Sequence, residues 1–246
     1  MILTAGLSPA WQQILVLDEL RPGDLNRAQQ AYWCGSGKVL NAAVAVHHLA
    51  GGVSAESLVL STLGGPAFQP IDEEFAAIGV HRRWVHTTSP TRVCTTIVDR
   101  ANGTATELIE NAGPITAEEL GEFDGAFAEA AASAAGVLLI GSLPHGAPNN
   151  YFRQLLTHVR CPVVLDIRGP ELLAALEARP AVIKPNREEI EQTLGALIRT
   201  DEHMRDAVAE LQRRGARGVV ATSGAGDVWV AVGPEIHCIS PPSIAA

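Results

Sequence analysis

With 246 residues, 47% of them hydrophobic, the chain is large enough to bury a substantial core, and its net charge of −9 argues against nucleic acid or an anionic membrane as the main partner. No apolar run reaches the roughly 18 residues of a spanning helix, and residues 1–9 lack the basic and apolar regions of a signal peptide. The four scattered cysteines, Cys34, Cys94, Cys161 and Cys238, predict free thiols in a reducing, cytoplasmic setting rather than a zinc site or disulfide framework.

In chain order, residues 27–33 read as a strand and residues 39–49, rich in Ala and Val, as a helix packing onto the core. Residues 92–99 and 104–110 are strand-like runs joined by Arg100-Ala101-Asn102-Gly103, whose Asn-Gly pair tolerates positive φ and signals a hairpin. These strands do not alternate with helices, which predicts a small β-sheet, from about 12–34 and 90–111, acting as a lid beside the main body. From Val137 onward the pattern changes. Buried strands at 137–140, 162–166, 181–184 and 218–222 alternate with helical spacing at 149–159, 170–177, 187–194 and 201–214. Such alternation predicts an α/β fold, a mostly parallel sheet covered on both faces in three α/β/α layers. Ligands of such sheets sit beyond the carboxyl ends of the strands.

Several segments suit ligand binding, and each has a plain structural alternative. Gly35-Ser36-Gly37-Lys38 precedes a helix, where backbone amides, the helix terminus and the Lys38 charge could receive an anion. It is not a Walker A motif, since Tyr32 stands where the first glycine belongs and Val39 replaces the Ser/Thr that holds magnesium. A simple turn before a helix explains it equally well. Lys184-Pro185-Asn186-Arg187-Glu188-Glu189 closes a strand and opens a helix; Asn186 as N-cap and Glu189 at N3 make a near capping box. Gly141-Ser142-Leu143-Pro144-His145-Gly146 is no nucleophile elbow, because Ile140 occupies the first glycine position, and it reads as a turn. His47 and His48 project about 100° apart on one helix and are expected to pack rather than share a ligand.

Taken together and in order, these segments resemble the ribokinase-like sugar kinases of the phosphofructokinase B family, in the branch of 1-phosphofructokinase and tagatose-6-phosphate kinase. The resemblance runs from Leu3 to the last residue. Ser8-Pro9-Ala10, Gly23-Asp24-Leu25-Asn26-Arg27, Ser36-Gly37-Lys38-Val39-Leu40-Asn41, Thr91-Arg92-Val93 and the run from Thr106 to Pro114 carry it in the first half. Gly141-Ser142-Leu143-Pro144, Lys184-Pro185-Asn186-Arg187-Glu188-Glu189 and Thr222-Ser223-Gly224 carry it in the second. The resemblance implies phosphoryl transfer from ATP, with Mg2+, to a hydroxyl of a ketose phosphate such as fructose 1-phosphate or tagatose 6-phosphate. It implies a sugar-phosphate site of Ser8, Gln12, Arg27, Gly37, Lys38, Asn41, Arg92 and Glu107, with Arg27 and Arg92 on lid strands gripping the phosphate. It implies a nucleotide site of Lys184, Asn186, Thr222, Gly224 and Gly226, with Asn186 and Glu189 ordering magnesium through water. Ser8 and Gln12 depart from the family's usual Asn and Asp, and Gln12 offers a sugar hydroxyl a hydrogen bond without charge. The lid's exposed edges and face are expected to pair with a second copy.

Gly224-Ala225-Gly226-Asp227 matches the letters of the family's catalytic segment. That segment opens a helix, whereas Val228-Trp229-Val230-Ala231-Val232 alternates as a strand does. Asp227 is therefore expected to be a decoy in a strand-to-strand turn. By resemblance the true segment follows a Pro-Pro pair, here Pro241-Pro242, so the catalytic base is expected beyond Ala246 and the chain is read as C-terminally incomplete. Three functional expectations follow: a sugar-phosphate kinase lacking its last segment, a binding protein without catalysis, or an enzyme that has recruited Asp227 as base.

Overall fold

The computed structural model describes residues 1–242, so the Ser243–Ala246 stretch, where the expected approach to the catalytic segment falls, lies outside the described residues. In chain order the elements are β1 (Ile2–Gly6), β2 (Ala10–Leu17), β3 (Gln30–Ser36), α1 (Lys38–Leu49), β4 (Ser57–Leu63), α2 (Phe68–Ile78) and β5 (His81–His86). They continue with β6 (Val93–Asp99), β7 (Thr104–Ile109), α3 (Ala117–Ala131), β8 (Gly136–Ile140), α4 (Tyr151–Leu156), β9 (Val163–Asp166) and α5 (Gly169–Leu176). The last are β10 (Val182–Ile183), α6 (Arg187–Leu194), α7 (Asp201–Arg213), β11 (Gly218–Ala221), β12 (Val228–Val232) and β13 (Glu235–Ile239). Two compact units form: one from residues 1–5, 124–142 and 148 onward, the other from residues 6–123 and 143–147.

The first unit holds a sheet in the order β13-β12-β11-β10-β9-β8-β1, parallel from β1 to β11 and antiparallel beyond. Its central strands are short and aliphatic because both faces are covered. Leu139, Leu165, Ile183 and Val219 have no exposed surface. On α7, Met204, Ala207, Val208 and Leu211 are buried, the i, i+3, i+4, i+7 stripe of a helix lying on a core. Burying each large side chain is worth about 1.5–3 kcal/mol. Thr200 caps this helix, its hydroxyl accepting from the His203 amide at 3.2 Å.

The second unit contains a four-stranded sheet in the order β3-β2-β6-β7. β2 pairs antiparallel with β3 and parallel with β6, and β6 pairs antiparallel with β7. The hairpin read at Arg100-Ala101-Asn102-Gly103 is present, with Asp99 opposite Thr104. Asp99 accepts from the Asn102 side chain and from the Asn102 and Leu20 amides, which holds its carboxyl below the usual range. The parallel pair β4–β5 lies in the same unit, with α1 and α2. Asp72 on α2 accepts from Trp84 at 2.7 Å and from the Arg82 guanidinium on β5. Arg82 keeps its carboxyl low.

One boundary needs correction. The strand expected over 27–33 is β3 at Gln30–Ser36, and residues 20–29 form a loop. Asn26 sets that loop, its amide oxygen accepting from the Arg21 amide at 2.8 Å and its nitrogen donating to the Arg21 and Asp24 carbonyls. An Asx residue bonding its own backbone competes with strand pairing.

Candidate active site

In the second unit several of the residues that the resemblance assigns to the sugar phosphate lie around the corner Ser8-Pro9-Ala10. β3 passes into α1 through a single residue, Gly37, at φ 86° and ψ 158°. A Cβ there would lie 3.1 Å from the Ala10 nitrogen, 3.1 Å from the Ser8 oxygen and 3.3 Å from the Pro9 carbonyl carbon. Only glycine allows both that backbone geometry and that approach. The contact presses the amino end of α1 against the corner. Lys38 and Asn41, both exposed, occupy the first turn of α1. Arg92 donates to the Ser8, Pro9 and Glu110 carbonyls, each at 3.2 Å. Its guanidinium thus braces the corner.

The segment leading to Arg92 is fixed as well. Glu119 at the start of α3 accepts from the Thr88 amide at 2.6 Å and the Thr116 amide at 2.8 Å, while the Thr116 hydroxyl accepts from the Glu119 amide. Burial raises the Glu119 pKa, but these bonds outweigh it and hold the carboxyl below the usual range. Ser89 donates to the Pro114 carbonyl at 2.5 Å. A cavity of about 30 Å³, room for roughly one water, is lined by Ser8, Thr91, Arg92, Gly113 and Pro144 among others. The buried Ser8 hydroxyl has no hydrogen-bond partner there among the described residues.

Gln12 and Glu107 fall on one face of the small sheet. Gln12 Nε2 donates to the Thr96 hydroxyl at 2.8 Å, and Thr96 stands opposite Glu107 in the ladder. Ser8, Gly37, Lys38, Asn41 and Arg92 thus cluster at the corner, with Gln12 two residues beyond it on β2. Neither arginine lies on a strand as expected: Arg92 immediately precedes β6, and Arg27 is exposed in the loop of residues 20–29. The turn chemistry of Pro22, Gly23 and Asn26 outweighs strand propensity at Arg27.

In the first unit the residues that the resemblance assigns to the nucleotide lie at the carboxyl ends of β10 and β11, beside Asp166 at the end of β9. Asn186 and Glu189 form a complete capping box on α6: Asn186 Oδ1 accepts from the Glu189 amide at 2.8 Å, and Glu189 Oε2 accepts from the Asn186 amide at 3.0 Å. The structural role read from the sequence is therefore present. Thr222 is stitched to this turn by a parallel bridge to Asn186. The Thr222 carbonyl accepts from the Arg187 amide at 2.9 Å and its own amide donates to the Pro185 carbonyl at 3.1 Å. Lys184 Nζ lies 3.4 Å from the buried Asp166 carboxylate.

Gly224-Ala225-Gly226-Asp227 is the turn of the antiparallel β11–β12 hairpin. Gly224 adopts φ 57°, and the Gly226 amide donates to the Ser223 carbonyl at 2.8 Å. The strand that the alternation predicted follows it, so no helix terminus stands there. Asp227 accepts from the Ser240 hydroxyl at 2.6 Å and from the Cys238 thiol at 3.5 Å. Loss of hydration and then the Asp227 carboxylate push the pKa of the exposed Cys238 thiol up.

Sequence reasoning missed Asp166 and Glu119. Both left a signal: Asp166 ends a buried parallel strand on the ligand side, and Thr116-x-x-Glu119 is a readable capping box.

A family model described as pfkB family carbohydrate kinase matches residues 11–245. The D-tagatose-1-phosphate kinase of Klebsiella oxytoca is 30% identical over 230 residues, covering 92% of this chain and 73% of that protein. Among solved structures, a tetrameric inhibited form of phosphofructokinase-2 from Escherichia coli superposes with a TM-score of 0.87 at 22% identity, over 99% of this chain and 80% of that one. A possible 1-phosphofructokinase from Thermotoga maritima gives 0.86 at 21% identity, over 96% and 76%. The two structures establish a ribokinase-like fold, and the family match with the Klebsiella relative establishes descent: this chain belongs to the pfkB family of carbohydrate kinases.

Proposed function

We propose that the chain carries the sites for ATP-dependent phosphoryl transfer to a hydroxyl of a ketose phosphate. The observation that carries this reading is the convergence of Lys184, Asn186, Glu189 and Thr222 at the strand ends of one sheet. Glu188 and Glu189 place negative charge in the first turn of α6, which disfavours a bare phosphate there despite the helix dipole. Oxygen donors in that position suit a hard cation accompanying the phosphate. Among the described residues no group of three His, Cys, Asp or Glu could hold a metal ion directly. Asn186 and Glu189 would then hold magnesium through its waters. Bound Mg-ATP supplies the transferable phosphoryl group and neutralises its charge.

The chain's own residues orient and neutralise. The capping box fixes Glu189 in one rotamer before any ligand arrives, so no ordering is needed on binding. Lys184, held toward Asp166, places a cation at the nucleotide phosphates, and Thr222, Gly224 and Gly226 border the nucleotide. On the sugar side Lys38 and Asn41 bind the acceptor from the α1 terminus, Gln12 and Glu107 meet hydroxyls, and Ser8 lines the pocket wall. Arg92 serves the phosphate with the guanidinium hydrogens that its carbonyl contacts leave over, and Arg27 reaches it from its loop. Asp227 is not assigned as the base, because its carboxylate is engaged by Ser240 and Cys238 and its turn offers no helix-terminal amides.

ADP release tests this with Mg-ATP and a panel of fructose 1-phosphate, fructose 6-phosphate, tagatose 1-phosphate and tagatose 6-phosphate. Binding of one of them together with Mg-ATP is the expected result, and transfer to it supports the kinase reading. Binding without transfer moves the protein to the second reading, a sugar-phosphate and nucleotide binder, which the commitment of Asp227 to its hairpin favours for these 246 residues. No binding of any panel member overturns both readings. We further infer pairing of two copies through the small sheet. There Trp33, stacked on Trp11 at 5.6 Å, and Leu108 leave 46% and 56% of their surfaces exposed on one face. A monomer by sedimentation excludes that pairing.

A further inference from the structure

The function proposed above leaves Asp227 without a role, although its carboxylate makes a short and specific contact. The last ladder pair of the β12–β13 hairpin is Val228 with Ile239. Asp227 and Ser240 are the next residues outward on each side. Their side chains close the open end of the hairpin where the backbone ladder has stopped, at 2.6 Å between Asp227 Oδ1 and the Ser240 hydroxyl. The Cys238 thiol reaches the other carboxylate oxygen at 3.5 Å. A short hydroxyl-to-carboxylate bond is the stronger, charge-assisted kind. Asp227 also ends the turn in which the Gly226 amide is held by the Ser223 carbonyl and Gly224 takes φ 57°. Directly before that turn stands Thr222, stitched to Asn186 and the start of α6. An unbroken set of contacts therefore runs from Ser240 through Asp227 and the glycine turn to the capping box.

We propose that Asp227 is a positioning residue. It anchors the glycine turn to the end of β13, and so presents Thr222, Gly224 and Gly226 to the nucleotide while fixing the direction in which the chain leaves the sheet. This rests on the nucleotide reading of that turn. The neighbouring anchor is the packing of Trp229 under the guanidinium of Arg205, 5.4 Å from the ring centre. That contact is to β12, whereas the Asp227 side chain joins the end of the turn to the end of β13. An amide oxygen at Oδ1 still accepts this bond, more weakly than a carboxylate, whereas proton abstraction needs the carboxylate, which separates the two roles.

The test uses the 246-residue chain and its D227A, D227N, S240A and D227A/S240A variants. Amide hydrogen exchange is measured over residues 222–227 and 235–240, together with the Kd for Mg-ATP. D227A and S240A are expected to speed exchange in both segments and to raise the Kd about fivefold, the factor one such hydrogen bond supplies. The double variant should be no worse than D227A, because both changes remove one contact. D227N retains the acceptor and should stay within about twofold of the parent in both measurements. Unchanged exchange in D227A and S240A overturns the anchor whatever the nucleotide does. Faster exchange with an unchanged Kd overturns its role in nucleotide positioning. If the parent chain fails to bind Mg-ATP, the nucleotide reading falls and takes the positioning role with it, while the exchange data still decide the anchor. Phosphoryl transfer abolished by D227N at unchanged Kd identifies Asp227 as a base and refutes the proposal.

Discussion

Replacing Gly37 by alanine tests how the substrate-side corner is built. Gly37 sits at φ 86° and ψ 158°, a region that only glycine occupies readily and that costs other residues about 1–3 kcal/mol. The added methyl would also lie 3.1 Å from the Ala10 nitrogen and the Ser8 oxygen. Those are backbone atoms, and Arg92 holds the carbonyls of Ser8 and Pro9. The corner cannot yield cheaply, and overpacking of this kind adds about 1–3 kcal/mol. The sum is about 2–6 kcal/mol, which for a chain of this size lowers the Tm by roughly 4–24 °C. Gly23→Ala is the control. Gly23 has nearly the same φ, 89°, but nothing within 4 Å of a Cβ, so only the conformational cost of about 1–3 kcal/mol applies. Urea unfolding followed by tryptophan fluorescence gives both values, and titration with a sugar phosphate reports the site. The expected result is a large loss for Gly37→Ala, with weakened sugar-phosphate binding in whatever fraction stays folded. If the two variants lie within about 0.5 kcal/mol of each other, the close approach at the corner does not shape the α1 terminus and the reasoning fails.

Glu119→Gln should cost about 1–3 kcal/mol near neutral pH, the worth of charge-assisted bonds to two amides. The folded carboxyl titrates below its ordinary value of 4.5, so its contribution is full above that pH and disappears as pH falls through the depressed folded value. Unfolding curves of parent and variant should therefore converge in acid, and a constant gap down to pH 3 would argue against the assignment. Asn186→Ala removes the α6 cap and should lower stability by about 1 kcal/mol while weakening Mg-ATP binding at least tenfold; calorimetry in which stability falls but affinity holds would show a structural cap only. Arg92→Lys preserves the charge but cannot make three divergent contacts, so it should lower both stability and sugar-phosphate affinity, and an unchanged Kd would remove Arg92 from the site.

Much of this was legible in the chain itself. The alternation of aliphatic runs with 3.6-period helices from Val137 onward marked β8 to β11 within a residue or two, because strands buried on both faces must be apolar throughout. The Asn-Gly hairpin and the Asn186–Glu189 cap were readable since their geometry depends only on neighbours in sequence. The strand after Asp227 was equally local, and it turned a catalytic-looking string into a hairpin turn. Within the expected lid region of about 12–34 the sequence marks no separate strand at β2, and it marks none at β5, for a different reason. In β2 the residues from Trp11 to Leu15 are all half-buried, so no two-residue alternation shows, and β5 reads His-Arg-Arg-Trp-Val-His because an outer strand tolerates charge. What only the tertiary structure decided is which distant groups meet. Arg92 was read as a phosphate ligand, yet it first satisfies carbonyls 83 and 84 residues away. Asp166 finds Lys184, and Asp227 finds Ser240. Sequence determines the periodicity and local bonding of each element. The partners of a carboxylate or guanidinium depend on the register of strands far apart in the chain, and that register exists only once the core has closed.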